Sequence, residues 1–412
     1  MAIPAPKPYI AAFEKLGFGM FVHWGLYSQL ARGEWTYLLH KMDMKEYEKL
    51  KDSFTAEDFN ADELVLTAKN AGCKYITLTT RHHEGFSLYD TKGLSDFDVM
   101  HSPCGRDLVR EYVDACNRHG ILPFFYHTTL DWHHPDFEND FDKYLEYLRK
   151  SVEILCTEYG KIGGLWFDGN WSRKGADWKE NELYATIRRH QPEAMIINNT
   201  GLNARGEAGN PEIDSVTFEQ DRPTPLNREG MKKYLAAEMC ETINDHWGTG
   251  SLDFNSKSPA TLIENLCLCR KVGANYLLNI GPLAQGAIDP YQKELLAVVG
   301  KWLNIFGEAI YEGKPYGAGS VNRNFILKGE GKLYIFFFNP GREGSENVTA
   351  GNSYLGAFAF GNVTDKVKRL YWMDNGEELS FAQKENMLMA NFTGQPYGKS
   401  FCVRIATAEI EK

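Results

Sequence analysis

Apolar runs of strand length alternate with amphipathic stretches of helix length from the start of this chain to about residue 305, and that alternation narrows the fold more than any other feature. The strand-like runs fall at 19–23, 74–79, 121–126, 164–168, 195–198, 215–219, 236–243 and 274–280, the seventh being the weakest. A strand buried on both faces reads as a continuous apolar run, as these do. Helical stretches lie between them at 62–71, 106–119, 138–159, 178–190, 258–271 and 289–305. Two open on capping signals, Asn60-Ala61-Asp62-Glu63 and Ser258-Pro259. Eight strands alternating with helices predict an α/β fold, a (β/α)8-like barrel. After about residue 310 the texture changes to short strands at 325–328, 332–338, 368–372 and 401–405, parted by turns such as Asp374-Asn375-Gly376. The expected organisation is a barrel over residues 1–308 and a C-terminal antiparallel β-sandwich over 309–412.

Charge and composition exclude several classes. A net charge of −10 argues against nucleic acid or an anionic membrane surface as partner. No apolar run reaches the roughly 18 residues a membrane span needs. The first eight residues lack a basic segment leading into an apolar run, so no signal peptide is expected and the expected location is cytoplasmic. The eight cysteines have neither metal-site spacing nor the density of a disulfide framework, so buried free thiols are expected.

In a parallel barrel, the residues where strands meet their following loops form the active-site face. Reading those positions gives His23-Trp24, Arg81-His82-His83-Glu84, Tyr126-His127, Asp168, Asn198-Asn199, Glu219 and Asn279. Singly, a strand-end aspartate is more often a turn residue, and a lone histidine is more often a hydrogen-bonded core group. Six or more such groups converging on one face have no structural purpose, and together they predict an active site. A metal centre fits poorly. His82 and His83 are adjacent and would point to opposite faces of a strand, and no His-x-His spacing occurs. No metal and no cofactor are expected. Two carboxylates from different strands suit glycoside hydrolysis, with histidines for sugar hydroxyls and aromatics for an apolar sugar face.

Several motifs occur in order between residues 18 and 282: Phe18-Gly19-Met20-Phe21-Val22-His23-Trp24-Gly25, Gly33-Glu34-Trp35 and Arg81-His82-His83-Glu84-Gly85-Phe86 come first. Tyr126 with Asp131-Trp132-His133-His134-Pro135, Leu165-Trp166-Phe167-Asp168-Gly169, Ile197-Asn198-Asn199 and Asn279-Ile280-Gly281-Pro282 follow. In these the chain resembles the α-L-fucosidases of glycoside hydrolase family 29. The resemblance implies a retaining mechanism through a fucosyl-enzyme intermediate on Asp168, acting on a fucosylated oligosaccharide or glycoconjugate. It implies sugar contacts from His23, Glu34, Trp35, His82, His83, Tyr126 and Trp166. Contact by both histidines requires the chain to leave extended geometry at His83. Glu219 best matches the segment that supplies the acid/base, with Glu238, Glu241 and Glu34 as alternatives and Glu238 preferred as a hydrogen-bonded support.

The chain departs from the family at Thr200, where an arginine is usual and Arg205 is a candidate replacement, and at His127, where a small hydroxyl residue is common. Trp247 stands where an aromatic closes the pocket under the fucose methyl. Two rival readings remain at this point: a retaining hydrolase of another deoxy or galacto-configured sugar, and a catalytically silent glycan-binding relative. Loops 170–178 and 201–214 are candidates to rim the leaving-group subsite, and a homo-oligomer in which a partner subunit completes that rim stays open.

Overall fold

A computed structural model describes residues 2–200, 205–207, 209–320, 323–340, 343–344, 349–350, 356–395 and 398–411. Eight parallel strands close into a barrel in sequence order. They are β1 (Phe18–Val22), β2 (Tyr75–Arg81), β3 (Leu122–Thr128), β4 (Gly164–Asp168), β5 (Met195–Asn199), β6 (Ser215–Glu219), β7 (Ala236–Thr242) and β8 (Asn275–Ile280). The ring closes where β8 pairs with β1, Asn279 opposite Phe21. Every strand named from the apolar runs is present, including the weak seventh. Its run is interrupted by Glu238 and Glu241, both buried against hydroxyl donors rather than exposed.

Helices Ala61–Asn70, Leu108–His119, Phe141–Glu158 and Glu180–His190 follow β1, β2, β3 and β4. Asn60 caps the first by accepting from the Glu63 N–H at 3.0 Å. The N-terminal helix Pro8–Leu16 seals the end of the barrel where the strands begin. Phe13 packs edge-on to Tyr75, ring centroids 5.7 Å apart, and its carbonyl accepts from Asn275 Nδ2 at 2.7 Å. That plug leaves the opposite, C-terminal mouth for chemistry.

The chain divides into two compact units, Met1–Lys257 with Asn275–Ala297, and Ser258–Ala274 with Val298–Lys412. The first holds the barrel. In the second, helix Pro259–Lys271 is capped by Ser258, which accepts from the Thr261 N–H. Two antiparallel sheets of four and five strands form a sandwich there. Ile335, Phe337 and Trp372 of one sheet meet Phe360, Leu388 and Phe392 of the other in a single apolar core. The residue 308 boundary read from the sequence falls within the helix Pro290–Glu312. Among the strands of this unit that the sequence does not announce are Gly356–Gly361, Phe381–Lys384 and Met387–Phe392. Their outward positions carry Ala357, Ala359, Ala382, Met387 and Met389, with only Lys384 and Asn391 polar, so the alternation is weak. The eight cysteines are free, and seven of them are buried. Among the described residues no helix is long and apolar enough to cross a membrane.

Candidate active site

The pleat of a strand turns alternate residues inward. Phe21, Trp166, Ile197 and Tyr126 sit in the barrel core, and two residues beyond three of them come His23, Asp168 and Asn199. A cavity of about 150 Å³ opens there, lined by Phe21, His23, Trp35, His82, His83, Tyr126, Trp166, Asp168, Trp171, Glu219 and Trp247. Asp168 and Asn199 are opposite each other in the register of β4 and β5.

Asp168 is surrounded by donors. Trp171 Nε1 donates to Oδ1 at 2.8 Å, Tyr126 donates to Oδ2 at 3.2 Å, and His83 Nε2 lies 3.5 Å from Oδ2. Gly169, at φ +118°, makes the sharp turn that carries Trp171 back over the carboxylate; a Cβ there would lie 2.6 Å from the Leu130 backbone nitrogen. Burial pushes the Asp168 carboxyl up, but His83, Trp171 and Tyr126 outweigh it and hold the group below the usual carboxylate range.

Glu219 is tuned the other way. Burial, then the charge of Asp168, push it up to about 7, against the opposing hydrogen bond from Asn199 and the charge of Arg205. One amide nitrogen, Asn199 Nδ2, reaches both acids, at 2.6 Å from Glu219 Oε2 and 3.4 Å from Asp168 Oδ1. Those two oxygens are therefore no more than about 6 Å apart. Asn199 is itself fixed, its Oδ1 accepting from Thr217 Oγ1 at 3.0 Å.

Histidines and aromatics complete the walls. Asn279 donates its Nδ2 to the Trp247 carbonyl at 2.7 Å, so its Oδ1 must accept from His23 Nδ1 at 2.7 Å. His23 is thereby the Nδ1–H tautomer and turns an accepting Nε2 to the cavity; burial lowers its pKa to about 3, so it stays neutral. β2 ends at Arg81, so both His82 and His83 lie in the following turn, closed by the Gly85 N–H to the His82 carbonyl at 3.0 Å. The turn is centred on His83 and Glu84, where the sequence reading expected the chain to leave extended geometry, which is how adjacent histidines line one cavity. Phe21 packs edge-on against Trp166 and Trp247, centroids 5.2 and 5.8 Å away, forming an apolar corner. Trp35 stacks on Trp171 at 5.6 Å.

Some residues named from the sequence lie elsewhere. Glu34 is buried beside the site but does not line the cavity; its Oε2 accepts from the Gly248 N–H at 2.9 Å. Glu238 sits deeper in the barrel, accepting from Tyr75 at 2.5 Å and from Trp166 Nε1 at 2.9 Å, which makes it a support under Trp166. Glu241 accepts from Tyr276 and lies 3.8 Å from Lys257 Nζ. His127 faces out of the barrel and bonds Ser151 Oγ at 2.8 Å, so this departure lies outside the cavity. Arg205 pairs with Asp221 at 3.0 Å. Of the two candidate rim loops, 201–204 and 208 are outside the described residues. Sequence reasoning missed Phe21 and Trp171 as lining residues. Phe21 could have been found by counting two back from His23, whereas Trp171 depends on the turn at Gly169. Among the described residues no three His, Cys, Asp or Glu side chains are grouped to hold a metal ion.

A parallel barrel with two differently tuned acids over an aromatic corner, and with histidines at its mouth, has the layout of a glycoside hydrolase. The chain belongs to the alpha-L-fucosidase family, whose model matches residues 5–308. It is 32% identical over 356 residues to tissue alpha-L-fucosidase of Bos taurus, covering 79% of this chain and 74% of that protein. The human tissue enzyme is 30% identical over 341 residues, 75% of this chain and 71% of that one. Among solved structures, alpha-L-fucosidase isoenzyme 1 from Paenibacillus thiaminolyticus superposes with a TM-score of 0.85 at 31% identity, covering 98% of this chain and 99% of that chain. A GH29 alpha-L-fucosidase from Bacteroides thetaiotaomicron, trapped as a covalent intermediate, shares the fold with a TM-score of 0.83 at 23% identity, covering 100% and 98%.

Proposed function

We propose that this fucosidase works with retention, Asp168 attacking the anomeric carbon of a terminal α-L-fucosyl residue while Glu219 protonates the departing oxygen. Glu219 then takes a proton from water as the water displaces Asp168 from the sugar. The observation that carries this reading is the Asn199 amide shared by the two acids. It keeps their nearest oxygens within about 6 Å, compatible with the roughly 5–5.5 Å of retaining enzymes and shorter than the 6.5–9.5 Å that an inverting enzyme needs for its water. The tuning agrees: the nucleophile is held ionised and the acid keeps its proton up to about pH 7. The trapped intermediate of the Bacteroides relative is in keeping with the same course.

In this reading His23, His82 and His83 meet the sugar hydroxyls, and Phe21, Trp166 and Trp247 take its apolar side. Glu34 acts from behind by holding the Gly248 backbone next to Trp247. Residues 1–308 form the catalytic segment, as the extent of the family match suggests, and 309–412 the accessory sandwich. The natural substrate is a fucosylated oligosaccharide or glycoconjugate. The test is stereochemical. Proton NMR of nitrophenyl α-L-fucoside hydrolysis should show α-L-fucose forming first; β-L-fucose as the first product would overturn retention.

A further inference from the structure

His82 turns its Nδ1 away from the cavity into the protein, where no hydrogen-bond partner meets it and Glu84 Oε2 lies 3.6 Å off. Glu84 is 1% exposed, and no described side chain hydrogen-bonds either of its oxygens. Gly25 makes room for it: a Cβ at Gly25 would stand 2.6 Å from Glu84 Oε1. The buried hydroxyls of Tyr27 and Tyr47 complete this polar nest, close enough to interact with the Glu84 charge, and Tyr47 has no hydrogen-bond partner among the described residues. Such a nest is costly unless it does something with a proton.

Burial leaves His82 neutral, pushed well below its ordinary value with His83 and His23 adding to the effect. A neutral imidazole has one N–H, and the partner of one ring nitrogen decides what the other offers. Burial also pushes Glu84 up to about 8; Asp131 adds to this, while the backbone N–H groups of Glu84 and Leu26 and the charge of Arg81 oppose it. We propose that Glu84 is a positioning residue: as a carboxylic acid it donates to His82 Nδ1 after a small rotation of the carboxyl group. This fixes the tautomer in which His82 Nε2–H donates into the cavity. The inference rests on the fucosidase reading above. It makes His82 a donor beside the accepting Nε2 of His23, whose ring centroid is 5.6 Å away, so hydroxyls of the sugar meet one of each. When Glu84 loses its proton to solvent, the imidazole proton moves to Nδ1 to meet the carboxylate. Two acceptors then face the sugar.

The test is the affinity for L-fucose by calorimetry across pH, on the full chain carrying Glu219→Gln in every sample (wild type here meaning wild type at position 84), because Glu219 itself loses a proton near 7 in the same cavity. Wild type should bind about 3- to 10-fold more weakly at pH 9 than at pH 6, the worth of one hydrogen bond. Glu84→Gln, whose amide donates to Nδ1 without titrating, should keep the acid-side affinity and lose the alkaline fall. Glu84→Leu, which offers no donor, should bind more weakly at every pH. A flat wild-type profile, a Glu84→Gln profile that keeps the alkaline fall, or Gln and Leu variants that behave alike would overturn the inference. No fucose binding by wild type at any pH would overturn the fucosidase reading and the inference with it.

Discussion

Asn199 is joined to Glu219 by a 2.6 Å hydrogen bond from the same nitrogen that lies 3.4 Å from Asp168. A donor to a carboxylate favours its ionised form, so this bond pulls the Glu219 pKa down against burial and the charge of Asp168. Removing it should raise the pKa of the acid. With Glu219 as the proposed acid, wild-type kcat/KM should fall as pH rises through about 7, where Glu219 would lose its proton. In Asn199→Ala that alkaline limb should move to higher pH, while the maximum drops about 10- to 100-fold because both acids lose their shared constraint. A pH–rate profile with an unmoved alkaline limb would show that Asn199 does not tune Glu219.

Glu238 makes the opposite kind of prediction, one about stability. Burial pushes its carboxyl up to about 7, although the bonds from Tyr75 and Trp166 favour the ionised form. Unfolded, the group ionises near its ordinary value of 4.5. Above that pH the unfolded chain releases a proton that the folded chain keeps. The group therefore costs stability progressively between about 4.5 and 7, and the cost is constant above. Glu238→Gln can still accept from Trp166 and can donate to the Tyr75 oxygen, without that cost. Its melting temperature relative to wild type should be highest at pH 7 and above, by roughly 1–3 kcal/mol of stability, and converge at pH 4.5. Glu238→Leu leaves two buried donors unpaired and should melt lower at every pH. Thermal melts at pH 4.5, 6 and 7.5 read all three.

The barrel was legible because its strands are buried on both faces and interrupt a helical pattern at regular intervals; Leu165-Trp166-Phe167-Asp168 carries both strand and site in four residues. Site residues on strands followed from parity: His23, Tyr126, Trp166, Asp168 and Glu219 share the inner face with core residues. What escaped lies where the chain turns. Trp171 reaches Asp168 through the left-handed turn at Gly169, whereas the break after β2 that lets His82 and His83 share the cavity was already expected from the sequence. A sequence states that a turn exists, but the direction of the side chain beyond it is set by backbone angles that periodicity does not encode. The sandwich was half legible for a different reason. Met387 and Met389 put apolar side chains on its outer face and hid the alternation.

Trp247 closes the apolar corner with Phe21 and is held at its carbonyl by Asn279. If the methyl of fucose fits this corner, the enzyme should discriminate against the arabinoside that lacks it. An apolar pocket gains about 1–3 kcal/mol from one such group, a ratio of roughly 10- to 200-fold in kcat/KM. Trp247→Ala should lower the fucoside rate more than the arabinoside rate and shrink the ratio. Paired measurements on nitrophenyl glycosides of the two sugars decide it; an unchanged ratio would place the methyl elsewhere.

The two acids should fail differently when removed. Asp168→Ala should lose nearly all turnover of every substrate, because no covalent intermediate can form. Glu219→Ala should lose about 10²–10⁴-fold on substrates with poor leaving groups, the usual worth of a general acid. An activated aryl fucoside needs little protonation, so its first step should survive in that variant and the fucosyl-enzyme should accumulate. Hydrolysis of that intermediate lacks its base, and azide, a nucleophile that needs none, should displace Asp168 from the face water would use, restore turnover and yield α-fucosyl azide. Glu34, Glu238 and Glu241 are removed from the cavity by their own partners, the Gly248 N–H, Tyr75 with Trp166, and Tyr276. Their alanine variants should therefore show no azide rescue, whatever activity packing costs them. The azide product, identified by NMR in each variant, assigns the acid/base: rescue in one of those three and not in Glu219→Ala moves the role, and substantial activity in Asp168→Ala removes the covalent mechanism itself.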